Sequence, residues 1–281
     1  MSTPVFVPPT IGVFDSGFGG LTVLRALIAR VPQAHFAFIG DTARLPYGSK
    51  SRRTIARYAA QSARFLVEEQ GAEYIVVACN TASALALDAM KEAVSSLVSV
   101  IGVIEPGAKA ARRASKTGDV LVIATEATVH SHAYAAACRA RGLRALEKAC
   151  PLLVPLVEEG WTSHPVTAEV VKIYFDELNA EAAAQGLSPD TLVLGCTHYP
   201  LLKPLIETLI PVGVKVIDSA ESATDELIKN LCYDLGQPPA PTSTDPDLRF
   251  FATDSVEKFE RLGSRFLGRP VTNVELVDLG G

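Results

Sequence analysis

Two short segments of this chain end in a cysteine in the same way. Residues 74–81 read YIVVACNT and residues 191–198 read TLVLGCTH. Each is an apolar, partly β-branched run that closes on a cysteine, followed by two small polar or ionisable residues. The two thiols, Cys79 and Cys196, belong to opposite halves of the sequence. If the halves fold alike and face each other, the thiols meet across one cleft. A free thiol ionises near a pH of about 8.5, and its thiolate is the useful base. One thiolate and one thiol on opposite faces of a carbon can remove a proton from one side and deliver one to the other. That inverts the carbon without a cofactor. Taken alone, either cysteine reads as a small buried hydrophobe; the matched contexts of the pair weigh against that reading.

The neighbours of the two thiols suit this chemistry. Cys79 precedes TASALALDAMKEAV, a helical pattern whose N-terminus would favour a nearby thiolate through its dipole and free N–H groups. Asn80 and Thr81 can bond a helix cap or a substrate carboxylate. Cys196 precedes Thr197, His198, Tyr199 and Pro200, with the proline suited to an early helical position. His198 can relay a proton to Cys196 or hold a carboxylate. Asp15 and Ser16 open FDSGFGGLTVL. Gly17, Gly19 and Gly20 do not make a dinucleotide fingerprint, and no Lys-Ser/Thr pair follows as in a P-loop. The glycines would instead bring backbone N–H groups close to a small anion. Asp15 would pair with a substrate ammonium or orient a thiol; its other reading is a helix N-cap. Tyr47 and Gly48 lie in a Pro-Tyr-Gly turn that can close over a ligand. ATEATVHSHAY (124–134) is rich in small hydroxyl donors. Its His130 and His132 invite a metal reading, but no Cys or acidic ligand is spaced to complete the site, so no metal is expected.

The elements that must position these residues alternate between strand and helix along the chain. Apolar runs predict strands at 11–15, 35–41, 74–78, 98–103, 120–124, 192–195, 214–218 and 248–253. Most are continuous rather than alternating, as when both faces of a sheet are covered. Helical periodicity predicts helices over 21–30 and 51–69, with Gly71 as a stop. The pattern implies doubly wound α/β architecture, in which ligands bind beyond the carboxyl ends of the strands. Both cysteine motifs and FDSG fall at such ends. Soft breaks near Glu105–Pro106 and Pro211–Gly213 divide the chain into a discontinuous first α/β lobe, 1–103 plus 214–281, and a second lobe, 104–213. The Pro-rich segment 237–247 reads as a surface loop.

Bulk properties exclude several classes. A chain of 281 residues, 48% hydrophobic, buries a sizeable core. No apolar stretch reaches the roughly 18 residues of a membrane span, and MSTPVFVPPT lacks the regions of a signal peptide, so a cytoplasmic protein without membrane association is expected. Five irregularly spaced cysteines make no disulfide framework. A net charge of −5 argues against non-specific nucleic-acid binding. The grouped Arg52, Arg53 and Arg57 read as a solvated helix face.

The segments GVFDSGFGGLTVL, GDTARLPYGSKS, VVACNTASA, GVIEPG, ATEATVHSHAY, CPLLVPLVEEG, LVLGCTHYPLL and VIDSA, in this order over nearly the whole chain, resemble those of the glutamate racemases of the aspartate/glutamate racemase superfamily. Aspartate racemases also carry two cysteine motifs, but their second tends toward Cys-Thr-Glu, whereas Cys196-Thr197-His198-Tyr199-Pro200 is the glutamate type. Ala124 stands where many relatives have Gly. The resemblance implies two pseudo-symmetric α/β lobes with the active site between them, and interconversion of L- and D-glutamate without pyridoxal phosphate or metal. It implies that Cys79 takes the α-proton of D-glutamate and Cys196 that of L-glutamate, assisted by Asp15 and His198 respectively. The acidic residue of the VPLVE segment corresponds to Glu158, with Glu159 as the other register. Substrate contacts carry over to Asp15, Ser16, Tyr47, Gly48, Asn80, Thr81, Thr197 and His198. A homodimer, and a bacterial host that builds D-glutamate into peptidoglycan, are implied as well. The competing readings are an aspartate racemase and a non-catalytic two-lobed binding protein that kept the cleft.

Overall fold

The computed structural model describes residues 8–235 and 246–280. Residues 1–7, and most of the Pro-rich segment expected to form a surface loop, lie outside the described residues. The strands are β1 (Thr10–Asp15), β2 (His35–Gly40), β3 (Tyr74–Val77), β4 (Ser99–Gly102), β5 (Asp119–Ala124), β6 (Arg144–Ala149), β7 (Thr191–Gly195), β8 (Lys215–Asp218), β9 (Asp247–Ala252) and β10 (Val274–Leu276). The helices of the first half are α1 (Leu21–Arg30), α2 (Arg52–Glu68), α3 (Asn80–Leu85), α4 (Leu87–Ala93), α5 (Ile104–Ala114), α6 (Glu126–Ser131) and α7 (Ala133–Arg139). The second half adds α8 (Leu153–Glu158), α9 (Pro165–Ala184), α10 (Lys203–Leu209), α11 (Ser219–Leu235) and α12 (Val256–Leu267).

All strand pairs are parallel and they form two sheets, ordered β10-β9-β2-β1-β3-β4 and β6-β5-β7-β8. The order 2-1-3-4 of the first sheet recurs as 6-5-7-8 in the second, so the lobes are pseudo-symmetric, with β9 and β10 added at one edge of the first. The order reverses between β1 and β3, and again between β5 and β7. The carboxyl ends flanking such a reversal are where doubly wound sheets bind ligands. Cys79 follows β3 and Cys196 follows β7, so the two thiols occupy equivalent positions.

Alternate residues of each strand enter different cores. Ile11 and Val13 of β1 join a cluster that also holds Leu121, Ile123, Leu192 and Leu194 of the second sheet, whereas Phe14 joins a cluster with Ile39, Ile75 and Val77. The larger cluster therefore runs from one lobe to the other, with Leu21, Leu24 and Leu27 of α1 and Ala223, Leu227 and Leu231 of α11 inside it. Val120, Val122 and Val193 face a third cluster with Ala108, Ala111 and Tyr134. Burial on both faces explains the continuous apolar runs.

Several local features depart from the sequence-based expectations. The return to the first lobe does not fall at 214: β8 pairs with β7, Leu192 opposite Val216 and Val193 opposite Ile217, so the expected 214–218 strand belongs to the second lobe. Pro211–Gly213 is the turn before that strand, with Gly213 at φ +97°; α11 then packs on α1 and α5. Glu105 and Pro106 lie in the first turn of α5, where proline is tolerated. β6 and β10 were not expected. β6 is an edge strand whose polar residues make ion pairs, Arg144 with Asp119 at 2.7 Å and Lys148 with Glu177 at 2.6 Å, which hides its apolar pattern. The helical run after Cys79 is interrupted at Ala86 (φ −134°, ψ 1°). Among the described residues, no helix is long and apolar enough to cross a membrane.

Candidate active site

A cleft of about 490 Å³ opens between the carboxyl ends of the two sheets, and Cys79 and Cys196 both line it. Ser16, Tyr47, Gly48, Asn80, Thr81, Glu158, Thr197 and His198 line it too. Each arrives there for a local reason. β3 ends at Val77 and the chain turns into α3, with Cys79 as its N-cap: the Sγ accepts from the Ala82 N–H at 3.5 Å and lies 3.5 Å from the Ser16 hydroxyl. Burial pushes the Cys79 thiol up to about 12; the nearby Asp15 carboxylate adds to the rise and the Ser16 and Ala82 hydrogen bonds oppose it. These surroundings favour the neutral thiol at Cys79.

The opposite wall is built differently. Cys196 Sγ lies 3.9 Å from Nδ1 of His198, whose Nε2 lies 3.3 Å from Oε1 of Glu158. Burial disfavours the imidazolium, but Cys196 and Glu158 outweigh it and bring His198 up to about 10. Burial would raise Glu158, yet the hydrogen bond and charge of His198, with Lys258, hold it below its ordinary value. Cys196, His198 and Glu158 thus form a chain in which the charged imidazole of His198 stands between the sulfur of Cys196 and the carboxylate of Glu158. Of Glu158 and Glu159, Glu158 is the residue that meets His198. The ring of His198 is also wedged against Phe266, 5.0 Å between centroids and near perpendicular.

Asp15 is buried at the end of β1 and does not line the cleft directly. Its Oδ2 accepts from the Gly17 N–H at 2.9 Å, while Oδ1 has no partner. Burial raises its carboxyl above the usual range, against the Gly17 bond and the His198 charge. The N-cap of α1 is Gly20, so the capping role considered for Asp15 is not the one it takes. The glycines serve close packing rather than an anion nest. A Cβ on Gly19 would lie 2.3 Å from Thr197 Oγ1 and 2.7 Å from the His198 ring. One on Gly20 would lie 2.6 Å from the Asp15 Cβ. The turn after β1 is thus pressed onto the second cysteine motif, and Thr22 Oγ1 donates to the Thr197 carbonyl at 3.0 Å.

The remaining polar groups define the floor. Asn80 Oδ1 accepts from the Tyr134 hydroxyl at 2.7 Å, which leaves its buried Nδ2 as an unpartnered donor at the cleft. Thr81 Oγ1 lies 3.0 Å from Thr125 Oγ1 and 3.3 Å from Thr128 Oγ1, a hydroxyl cluster shared by the lobes. Tyr47 spends its hydroxyl on Oδ2 of the buried Asp41, 2.5 Å away, so it offers the cleft its ring. His130 and His132 stay outside the lining, with His132 3.2 Å from Glu147. Arg52, Arg53 and Arg57 are exposed on α2.

Several lining residues were not singled out from the sequence: Thr125 and Glu126 after β5, Pro151, Val154 and Pro155 around α8, and Lys258 on α12. Thr125 could have been found, since it follows β5 as Ser16 follows β1. Lys258 carries no sequence signal, because α12 reaches the cleft only through tertiary packing.

The two thiols thus stand at equivalent strand ends of two pseudo-symmetric α/β lobes and share one cleft. The chain belongs to the Asp/Glu/Hydantoin racemase family, whose pattern it matches over residues 11–227. It is 53% identical to a glutamate racemase of Koribacter versatilis, over 97% of this chain and 98% of that protein. Its structure superposes on a glutamate racemase isoform of Bacillus anthracis with a TM-score of 0.86 at 38% identity, covering 96% of this chain and 98% of that one. The glutamate racemase of Francisella tularensis solved with D-glutamate gives 0.83 at 36% identity, over 96% and 98%.

Proposed function

We propose that this protein is a glutamate racemase that interconverts L- and D-glutamate by proton transfer between Cys79 and Cys196, without a cofactor. The observation that carries the reading is the placement of both thiols on one cleft between equivalent strand ends. In the L to D direction, Cys196 as thiolate removes the α-proton, the carbanion-like centre is held by donors on its carboxylate, and the Cys79 thiol returns a proton to the opposite face. The reverse direction exchanges the roles. Asn80 Nδ2 and the hydroxyls of Thr81 and Thr197 are the donors suited to the carboxylate, and preorganised donors matter most where charge develops. His198, charged at neutral pH, balances a thiolate at Cys196. Asp15, buried behind Cys79 with Oδ1 free, serves the Cys79 side. Because Cys79 rests as thiol, it is ready as the acid for L-glutamate; the D-glutamate direction requires substrate to bring about its ionisation.

The same reading includes a cytoplasmic homodimer that supplies D-glutamate for peptidoglycan, as the family resemblance implies. Its central test is wash-in of solvent deuterium. With L-glutamate in heavy water, the α-proton signal should disappear as D-glutamate forms. A two-lobed binding protein would leave that signal intact, and that result would overturn the proposal; faster turnover of aspartate than of glutamate would overturn the substrate assignment.

A further inference from the structure

Glu158, the partner of His198, is itself gripped from the other lobe. The carbonyl of Glu158 stands at the C-terminal end of α8, where helix carbonyls lack partners within the helix. Nη1 of Arg265, on α12, donates to it at 3.0 Å. Lys258, two turns earlier on the same helix, brings its Nζ to 3.8 Å from Glu158 Oε2. Phe259 and Leu262 between them on α12, and Phe266 just after, are buried, so the helix cannot slide without disturbing its packing. The approach of Arg265 depends on Gly160: at φ +81° the chain turns away, and a Cβ there would meet the guanidinium at 2.8 Å. The bond it protects is marginal, because a Glu158–His198 separation of 3.3 Å is already at the long end for a hydrogen bond. A displacement of about half an ångström would lose it.

We propose that Arg265 is a positioning residue for the Glu158–His198 pair, fixing from the first lobe the segment of the second lobe that orients the Cys196-side histidine. Lys258 contributes to the same grip through the carboxylate. The contact bridges the lobes. The inference rests on the racemase reading above.

The test compares wild type, Arg265→Met and Arg265→Lys with α-deuterated L- and D-glutamate measured separately. R265M should lower kcat about tenfold in both directions, as small errors of placement do, with KM little changed. Its isotope effect should rise for L-glutamate, whose proton Cys196 removes, and fall for D-glutamate. R265K, which keeps a donor and a cation, should recover most of the rate and the wild-type isotope pattern. Wild-type turnover in R265M, or a loss with isotope effects changed equally for both enantiomers, would overturn the proposal by showing a merely structural contact. Arg265 is exposed; if R265M nonetheless failed to fold by circular dichroism, Arg265→Gln, too short to reach the carbonyl, carries the same expectation. An inactive wild type would overturn the racemase reading and this inference with it, whereas an active wild type with an unaltered R265M overturns this inference alone.

Discussion

At the scale of single residues, the two thiols differ in surroundings although their strand positions match. Cys79 has a carboxylate and a serine beside it; Cys196 has an imidazolium backed by a carboxylate. Cys79→Ser and Cys196→Ser should each lower racemisation by about three orders of magnitude or more, because a hydroxyl is far too weak an acid to serve as a base at neutral pH. Polarimetry gives the rate and circular dichroism the fold; near-native turnover in either variant would end the two-thiol mechanism. Cys138 and Cys150 are buried away from the cleft, and Cys232 lies in α11. Their Ala variants should keep kcat, with Cys138→Ala and Cys150→Ala each losing about 1 kcal/mol of stability in denaturant titrations. His198→Asn and Asp15→Asn should lower kcat more than they weaken binding. Steady-state kcat/KM cannot diverge between enantiomers whose equilibrium is near unity, so the asymmetry must appear in isotope effects. Loss of His198 should enlarge the effect for α-deuterated L-glutamate, and loss of Asp15 that for D-glutamate. Identical effects for both enantiomers in both variants would refute the side-specific roles.

At the scale of elements, the turn between β1 and α1 does more than its composition indicated. Its glycines suggested an anion-binding backbone, but their physical requirement is room: Gly19 lies flush against Thr197 and His198. Gly19→Ala should therefore push the second cysteine motif out of register and lower kcat by about tenfold or more while leaving helix content unchanged. A fully active G19A would mean that the overlap is relieved without moving His198. Helices α1 and α2 and the apolar strands were legible because periodicity and burial agree there. β6 was missed because an edge strand places charged residues where a central one has valine. The break at Ala86 was missed because nothing in TASALALDAMKEAV signals a stop.

For the whole molecule, the buried imidazolium links stability to pH. His198 has an ordinary value of 6.5 and lies near 10 in the folded protein. A raised value means that folding favours the protonated ring, so the stability it contributes is complete below about pH 6.5 and is lost as pH rises through about 10. Between pH 7 and pH 10 the wild-type Tm should thus fall more steeply than that of His198→Asn, as followed by calorimetry in low-salt buffer. Parallel slopes would show that the ring is neutral in the native cleft.

From the sequence alone, the fold class, eight of the ten strands and both cysteines of the cleft could be read. These rest on local facts: continuous apolar runs mark strands covered on both faces, and functional residues collect where such strands end. Tertiary structure decided what depends on the relation between distant segments. It assigned β8 to the second sheet, because pairing with β7 is a choice among strands that no single run reveals. It made Asp15 a buried carboxylate with one free oxygen rather than a helix cap. It chose Glu158 over Glu159 by bringing one of them to His198, and it delivered Lys258 and Arg265 from a helix about a hundred residues away. Strand propensity and strand-end position are properties of neighbouring residues, whereas pairing, proton affinity and cross-lobe contact come into being only when the two lobes close on each other.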